Sequence, residues 1–396
     1  MSYATYSLMN TEIISGNHSL KTLPGKLKDL RVSKPLVVTD MSLVGTDTFK
    51  ILSDILTEGG ISYTVYSDIE SDPFDYMVAD GVSSLKNNQC DCVIAFGGGS
   101  SIDCGKGISI MSVHEGNIIQ YGRSTPGHLD FKGPGCPIIS IPTTSGTGSE
   151  VSKYAIITNH ENHQKRSIGS PYLFSKLVFL DPQVAASMPA GVTAYTGIDA
   201  LCHAIEAYTH KTAIENSVEI SDALALRAIE IISGSLLTAY NEPDNIDARF
   251  QMQWGALLAG VALNIGAAEA HGIGTFLSKY HHVSHGVSVG IPLPYTMEYN
   301  IPFCPERFYN IARAMNKATS KTDIQTGAAM APAAVKELLQ ALHFPTLKDC
   351  CNSFDEIEKW CAEACMNSCC TSNERLTDEN EMKIVMKNCY DQILKV

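Results

Sequence analysis

The 396-residue chain is short of charge, and of positive charge above all. Charged residues make up 18% of it, with 29 Lys and Arg against 42 Asp and Glu, a formal net charge of −13. A general nucleic-acid binder needs a basic footprint, and anionic membranes attract polybasic segments, so neither partner is expected. Long hydrophobic runs are lacking too. The longest apolar tract, residues 255–270, is broken by Asn264 and Glu269 and falls short of a membrane span. The first twenty residues show no basic start followed by an apolar stretch, the pattern of a secretory leader, so a cytoplasmic location is expected. Cysteine is not scarce, but thirteen is an odd number. In so long a chain that fits free thiols in a reducing compartment better than a disulfide framework.

What is present is ample core material: 44% of residues are apolar. The length suggests about two domains. Short β-branched runs at 35–40, 63–66, 92–96, 137–141 and 177–181 alternate with helix-like segments, the pattern of a parallel α/β sheet. Near Pro189 the texture changes, and from Thr196 the chain is Ala- and Leu-rich with helical spacing. The expected organisation is an α/β domain over 1–187 and an all-α domain over 188–396.

Two loops in the first half carry chemistry. Gly97-Gly98-Gly99-Ser100 follows an apolar strand and precedes a plausible helix. Glycines there let backbone N–H groups approach a phosphate, and the helix N-terminus adds a favourable dipole. The motif is not the G-x-G-x-x-G fingerprint of an ordinary Rossmann unit, and a tight strand-to-helix turn is the alternative. The second loop, Pro142 to Glu150, brings Thr143, Thr144, Thr147 and two glycines together after another strand. Two polar mouths at the carboxyl edge of one parallel sheet point to a nucleotide. Asp40 closes the strand over 35–40, where a carboxylate can accept from a ribose 2′-OH or simply make an Asx turn.

In the second half, Asp199 and His203 stand at i and i+4 of a helix-like segment and share one face among Ala200, Leu201, Ala204 and Ile205. A buried Asp and His need partners. A metal would serve both, and a plain hydrogen bond between them is the alternative. His271, at the end of a long small-residue helix, and His285, in a polar loop, complete an Asp/His₃ set. Imidazole and carboxylate suit Fe²⁺, Zn²⁺ or Ni²⁺ rather than Mg²⁺ or Ca²⁺. His281 and His282, beside Lys279 and Tyr280, read as solvated. Cys361, Cys365 and Cys369 stand at i, i+4 and i+8 of a probable helix and read as small apolar filler.

Four blocks, Gly97 to Lys106, Pro142 to Glu150, Asp199 to Glu206, and His271 with His285-Gly286, resemble in their order the iron-containing (type III) alcohol dehydrogenases over nearly the whole chain. The resemblance implies a dinucleotide-binding α/β domain followed by a helical metal domain. It implies one divalent metal, Fe²⁺ with Zn²⁺ as the alternative, held by Asp199, His203, His271 and His285 as the catalytic set. It implies a nucleotide site formed by Gly97, Gly98, Gly99, Ser100, Asp103, Thr143, Thr144 and Thr147. Asp40 matches the acidic residue linked to NAD preference, and Lys165 a basic residue on the ADP-ribose side. The implied reaction is hydride transfer between NAD(H) and a short-chain aldehyde or alcohol, including one bearing a carboxylate or sulfonate, in a homodimer or larger homo-oligomer. Rivals are a glycerol-dehydrogenase-like zinc polyol dehydrogenase and a non-catalytic nucleotide-binding scaffold; the presence of all four ligand-type residues argues against the latter. Two departures stand out. Thr275 occupies a position that is histidine in many relatives, and Asn373-Glu374-Arg375 replaces Asn-Pro-Arg.

Overall fold

A computed structural model describes residues 10–392 apart from 124, 217, 374 and 376. The chain divides into two compact units, with the division between Met188 and Pro189. The first unit is built on strands β1 (Glu12–Ser15), β2 (Pro35–Val38), β3 (Thr64–Tyr66), β4 (Cys92–Gly97), β5 (Ile138–Pro142), β6 (Tyr154–Thr158), β7 (Lys165–Gly169) and β8 (Leu177–Leu180). Six of them form one sheet in the order β1-β8-β5-β4-β2-β3, with every pairing parallel. β2, β4, β5 and β8 are buried along their whole length. This explains why they read as unbroken apolar runs rather than alternating ones. The register pairs Gly97 with Pro142. The ends of β4 and β5 therefore lie side by side, and the two polar loops leave the sheet together.

The expected parallel sheet is there, with three strands that its sequence did not announce. β1 has only four residues and pairs along one side, with β8. β6 and β7 form a separate antiparallel ribbon whose second strand is largely polar, starting Lys165-Arg166-Ser167. β1 and β7 lack the apolar run that marks a central strand, whereas β6 (Tyr154-Ala155-Ile156-Ile157-Thr158) has one but pairs outside the parallel sheet.

After β4 comes helix α1 (Gly99–Met111), buried along most of its length. The second unit is helical. Its central helix, α2 (Ala190–Thr209), is buried at every residue from Gly197 to Tyr208. It packs against α3 (Glu219–Asn241) and α4 (Ile246–Ala262). A helix apolar on nearly every side belongs in the middle of a bundle. α4 passes into a short 3₁₀ turn, Leu263–Ile265, and the chain breaks at Gly266, where φ is +133°. α5 (Glu269–His281) then starts in a direction 100° from α4. His271 therefore sits in the first turn of a new helix, not at the end of the long one. His285 likewise opens a short helix, α6 (His285–Gly290), rather than lying in a loop. Among the described residues, no single helix is long and apolar enough to cross a membrane.

Candidate active site

Asp199 and His203 point from one face of α2, as their spacing requires, and α5 and α6 bring His271 and His285 to them. One ligand-type atom from each of the four lies within 4.8 Å of the others. The three histidine Nε2 atoms surround a single carboxylate oxygen, Asp199 Oδ1, at 3.5 Å (His203), 3.8 Å (His271) and 3.5 Å (His285). These distances are too long for good hydrogen bonds. Asp199 Oδ1 and His271 Nε2 are buried with no hydrogen-bond partner among the described residues. A tetrahedral site with bonds of about 2.0–2.2 Å has ligand–ligand edges of about 3.3–3.6 Å. The spacing and the orphaned atoms thus fit a divalent metal at their centre, and a plain Asp–His hydrogen bond does not account for them.

The electrostatics agree. Burial pushes His203 down to about 4, so its imidazole is a neutral donor. Burial alone would raise Asp199, but the three neighbouring histidines overcome it and hold the carboxyl below its usual range. Side-chain exposure rises from 3% at Asp199 and 6% at His203 to 10% at His271 and 45% at His285, so the cluster opens to solvent beside His285.

In the first unit, Gly97 (φ +150°) and Gly98, the extended N-cap residue, turn the chain from β4 into α1. A Cβ on Gly99 would stand 2.7 Å from the Thr147 side chain, so only glycine lets the two loops close on each other here. Gly98 also faces the second loop, but a Cβ there would stand 3.4 Å from Thr144, an ordinary contact. Thr143 donates its backbone N–H to Gly97 O at 3.0 Å. Ser100 Oγ accepts from Asp72 N at 3.3 Å. At the same carboxyl edge, the hydroxyls of Thr39 and Ser145 are buried with no partner among the described residues. Orphaned hydroxyls beside a glycine turn and a helix N-terminus fit a phosphate-bearing ligand.

The other expected cofactor residues are placed differently. Asp40 makes an Asx turn, its Oδ1 accepting from Ser42 N at 3.0 Å and from Ser42 Oγ. That turn uses one of its two oxygens. Lys165 pairs with Asp72 at 2.8 Å. Both oxygens of Asp103 are engaged by the protein, one by Ser149 Oγ and the other by Ile156 N at 3.0 Å. Asp103 works with Lys106, one turn further along α1. The fully buried Lys106 ammonium donates to Tyr154 O (2.7 Å), Ser152 O (2.9 Å) and Ser149 Oγ (3.1 Å). Together they fasten the exit of the second loop to the helix that starts at the first.

Other expectations shift as well. His281 is not solvated, since its Nε2 accepts from Trp360 Nε1 at 3.3 Å. Helix α7 (Phe354–Cys365) ends at Cys365, so Cys369 is not on it. Cys361 is fully buried. Thr275 is exposed, and its hydroxyl donates to His271 O at 3.0 Å. One residue of the site was missed: Glu206, on α2, touches His271. Its signal was a third polar residue, at i+7 from Asp199, on the same face of an apolar helix.

Residues 10–182 match the iron-containing alcohol dehydrogenase family, and residues 193–390 match the C-terminal region of the Fe-containing alcohol dehydrogenase family. With the fold and the Asp/His₃ cluster, these matches place the chain in the iron-containing alcohol dehydrogenase family. It is 34% identical to choline dehydrogenase of Bacillus subtilis (strain 168), covering 96% of this chain and 94% of that one. It is 31% identical to 1,3-propanediol dehydrogenase of Klebsiella pneumoniae, covering 98% and 100%. The crystal structure of a 1,3-propanediol oxidoreductase superposes with a TM-score of 0.91 at 30% identity, covering 98% of this chain and all (100%) of that one.

Proposed function

We propose that this chain is an NAD(H)-linked dehydrogenase that interconverts a short-chain aldehyde and its alcohol, with one divalent metal held by Asp199, His203, His271 and His285. The observation that carries this reading is the buried Asp199 oxygen, without a hydrogen-bond partner among the described residues, with three imidazole nitrogens 3.5–3.8 Å around it. When bound, an Fe²⁺ or Zn²⁺ ion supplies a Lewis acid for the substrate oxygen. Asp199 contributes one negative charge and the histidines none, so the site keeps a net positive charge and favours an oxyanion. His285, the exposed ligand, marks the side from which a small substrate enters. Gly98, Gly99 and the N-terminus of α1 offer N–H groups to a pyrophosphate, with Thr143, Thr144 and Thr147 alongside. Asp40 keeps one oxygen outside its Asx turn, which supports contact with a ribose hydroxyl. Thr275 does not serve as acid or base: an aliphatic hydroxyl titrates far above neutrality, and this one donates to His271 O.

The activities for which similar proteins are named, 1,3-propanediol dehydrogenase of Klebsiella pneumoniae and lactaldehyde reductase of Escherichia coli (strain K12), support small oxygenated aldehydes as the substrate class. The family resemblance supports a homo-oligomer, and the thirteen cysteines support a reducing compartment such as the cytoplasm. The test is NADH oxidation by protein purified without oxygen, with metal content measured. The aldehyde panel includes 3-hydroxypropanal, lactaldehyde, simple aliphatic aldehydes and one bearing a sulfonate. About one divalent metal per chain and turnover of at least one small aldehyde are expected. Protein that holds no metal, or holds it and oxidises no NADH with any aldehyde, overturns the reading.

A further inference from the structure

Glu206 lies 7 residues after Asp199 on α2 and is 3% exposed. Its carboxylate accepts four N–H groups, all from one short stretch of the chain around the start of α5. Oε1 accepts from Ala270 N at 2.6 Å and His271 N at 3.2 Å. Oε2 accepts from Ala268 N at 3.0 Å and from His271 Nδ1 at 2.5 Å. The first N–H groups of any helix have no partner within it. Ala268 is the N-cap of α5 and offers no side-chain cap. The cap comes instead from α2, across the bundle, and its negative charge sits where the helix dipole favours it.

The same carboxylate also fixes a ring. Its other three partners are backbone N–H groups, which can only donate, so both oxygens are acceptors and the proton between Glu206 and His271 belongs to Nδ1. In its neutral form the imidazole then presents an unprotonated Nε2. That nitrogen is buried without a partner among the described residues, 3.8 Å from Asp199 Oδ1. The Cys202 thiol, 3.7 Å from Nδ1, is the weaker neighbour.

We infer that Glu206 is a positioning residue: one carboxylate caps α5 and locks His271 as its Nδ1–H tautomer, so that Nε2 is aimed and ready as a metal ligand. The inference rests on the proposed metal site and adds to it a residue that touches neither metal nor substrate. Because backbone and ring hang on one anchor, turning the ring away loses its bond to the same carboxylate that holds the helix start in place. Residues that orient a metal-binding histidine are typically worth about 10- to 100-fold in metal affinity.

Two measurements on the full chain test this. In metal-free wild-type protein, at a pH where the ring is neutral, long-range ¹H–¹⁵N correlation should place the single His271 ring proton on Nδ1; a neutral ring that carries its proton on Nε2 overturns the inference and needs no variant. In Glu206→Gln the amide puts an N–H₂ group against N–H donors, so the ring turns or changes tautomer. Co²⁺ affinity, read by chelator competition, should weaken about 10- to 100-fold, with an altered visible spectrum. NADH affinity should stay unchanged. Glu206→Asp, which keeps both acceptor oxygens on a shorter stem, should recover part of the Co²⁺ affinity; it serves as the affinity variant if the glutamine form does not fold. A folded Glu206→Gln protein with Co²⁺ affinity and spectrum like the wild type's shows that Glu206 only caps the helix. Wild-type protein that takes up no Co²⁺ overturns the metal site itself, a separate result from the tautomer.

Discussion

Replacing Lys106 by Met removes a fully buried ammonium while keeping its volume, which makes it a sharp probe of how the two nucleotide loops are held. Burial pushes Lys106 down to about 8 from an ordinary 10.5, with Asp103 and Glu150 resisting. The difference, 10.5 − 8, corresponds to about 3 kcal/mol against the charged form, and the variant recovers that. Against it stand three charge-assisted hydrogen bonds, to Tyr154 O, Ser152 O and Ser149 Oγ. At about 1.5–3 kcal/mol each they total about 5–9 kcal/mol. The net expectation is a loss of about 2–6 kcal/mol, a fall of about 4–24 °C in the melting temperature of the first unit. Asp103, 4.0 Å from the ammonium, is left as a lone carboxylate in a largely buried place. Adding Asp103→Asn should therefore restore part of the stability, with a coupling of about 1 kcal/mol or more. Scanning calorimetry reads the melting, and NADH fluorescence titration reads the loops. Ser149 N donates to Thr147 Oγ1 at 3.3 Å, so slackening there reaches Thr147. NADH affinity should fall about tenfold, roughly 1.4 kcal/mol. A Lys106→Met protein that melts within about 2 °C of wild type, or a double variant less stable than the single one, refutes the argument.

Four other outcomes follow from the same geometry. His271→Ala should lose the metal and nearly all turnover while NADH still binds; metal analysis and titration read this, and full turnover after chelator treatment would contradict it. Thr275→Val should keep turnover within about tenfold, because one hydroxyl hydrogen bond is worth only about 1 kcal/mol, and a thousandfold loss in kcat would make that hydroxyl essential. Asp40→Asn preserves the Asx acceptor but removes the charge that a 2′-phosphate would meet. Wild type should therefore favour NADH by at least about tenfold in kcat/KM, and the variant should narrow the ratio by improving NADPH; an unchanged ratio reduces Asp40 to a turn residue. Burial raises Glu150 from 4.5 to about 7, with Lys106 pulling it down and Asp103 pushing it up. Its folded form thus binds more protons than its unfolded form between those values, and its contribution to stability is full below about 4.5 and lost as pH rises through about 7. Glu150→Gln should flatten that decline in denaturant titrations at pH 5 and pH 7.5, and an unaltered slope would show that another group titrates.

The parts of the site that depend on one element's period could be read directly. Asp199 and His203 follow from the turn of a single helix, and the loops after β4 and β5 follow from apolar runs that end in glycine and hydroxyl residues. What could not be read depends on distant partners. β1 is a strand because β8 lies beside it. The break before α5 falls inside a run of small apolar residues, Ile265-Gly266-Ala267-Ala268, where the one strong local signal is the left-handed Gly266. The helix that restarts at Glu269 takes its cap from a residue 64 positions before Ala270, and no local rule places His271 in a first turn rather than a last one.

Polar residues in α2 show where that boundary lies. Thr193, Asp199, His203 and Glu206 are all buried in a helix that is otherwise apolar at its centre. A buried polar group without a partner costs about 1–3 kcal/mol, and a charged one more, so each implies a partner elsewhere. Thr193 accepts from the buried Arg249 of α4 at 2.6 Å, Glu206 takes the start of α5, and Asp199 and His203 share the histidine cluster. The sequence of α2 states these demands in full, one per polar residue, but the partners come from later helices. A reading from the sequence can therefore count the contacts the helix must make before it can name them. Of the four, only Asp199 and His203 leave buried atoms without a partner among the described residues, and that unmet demand is what sets the proposed metal site apart from the ordinary fastening of a core.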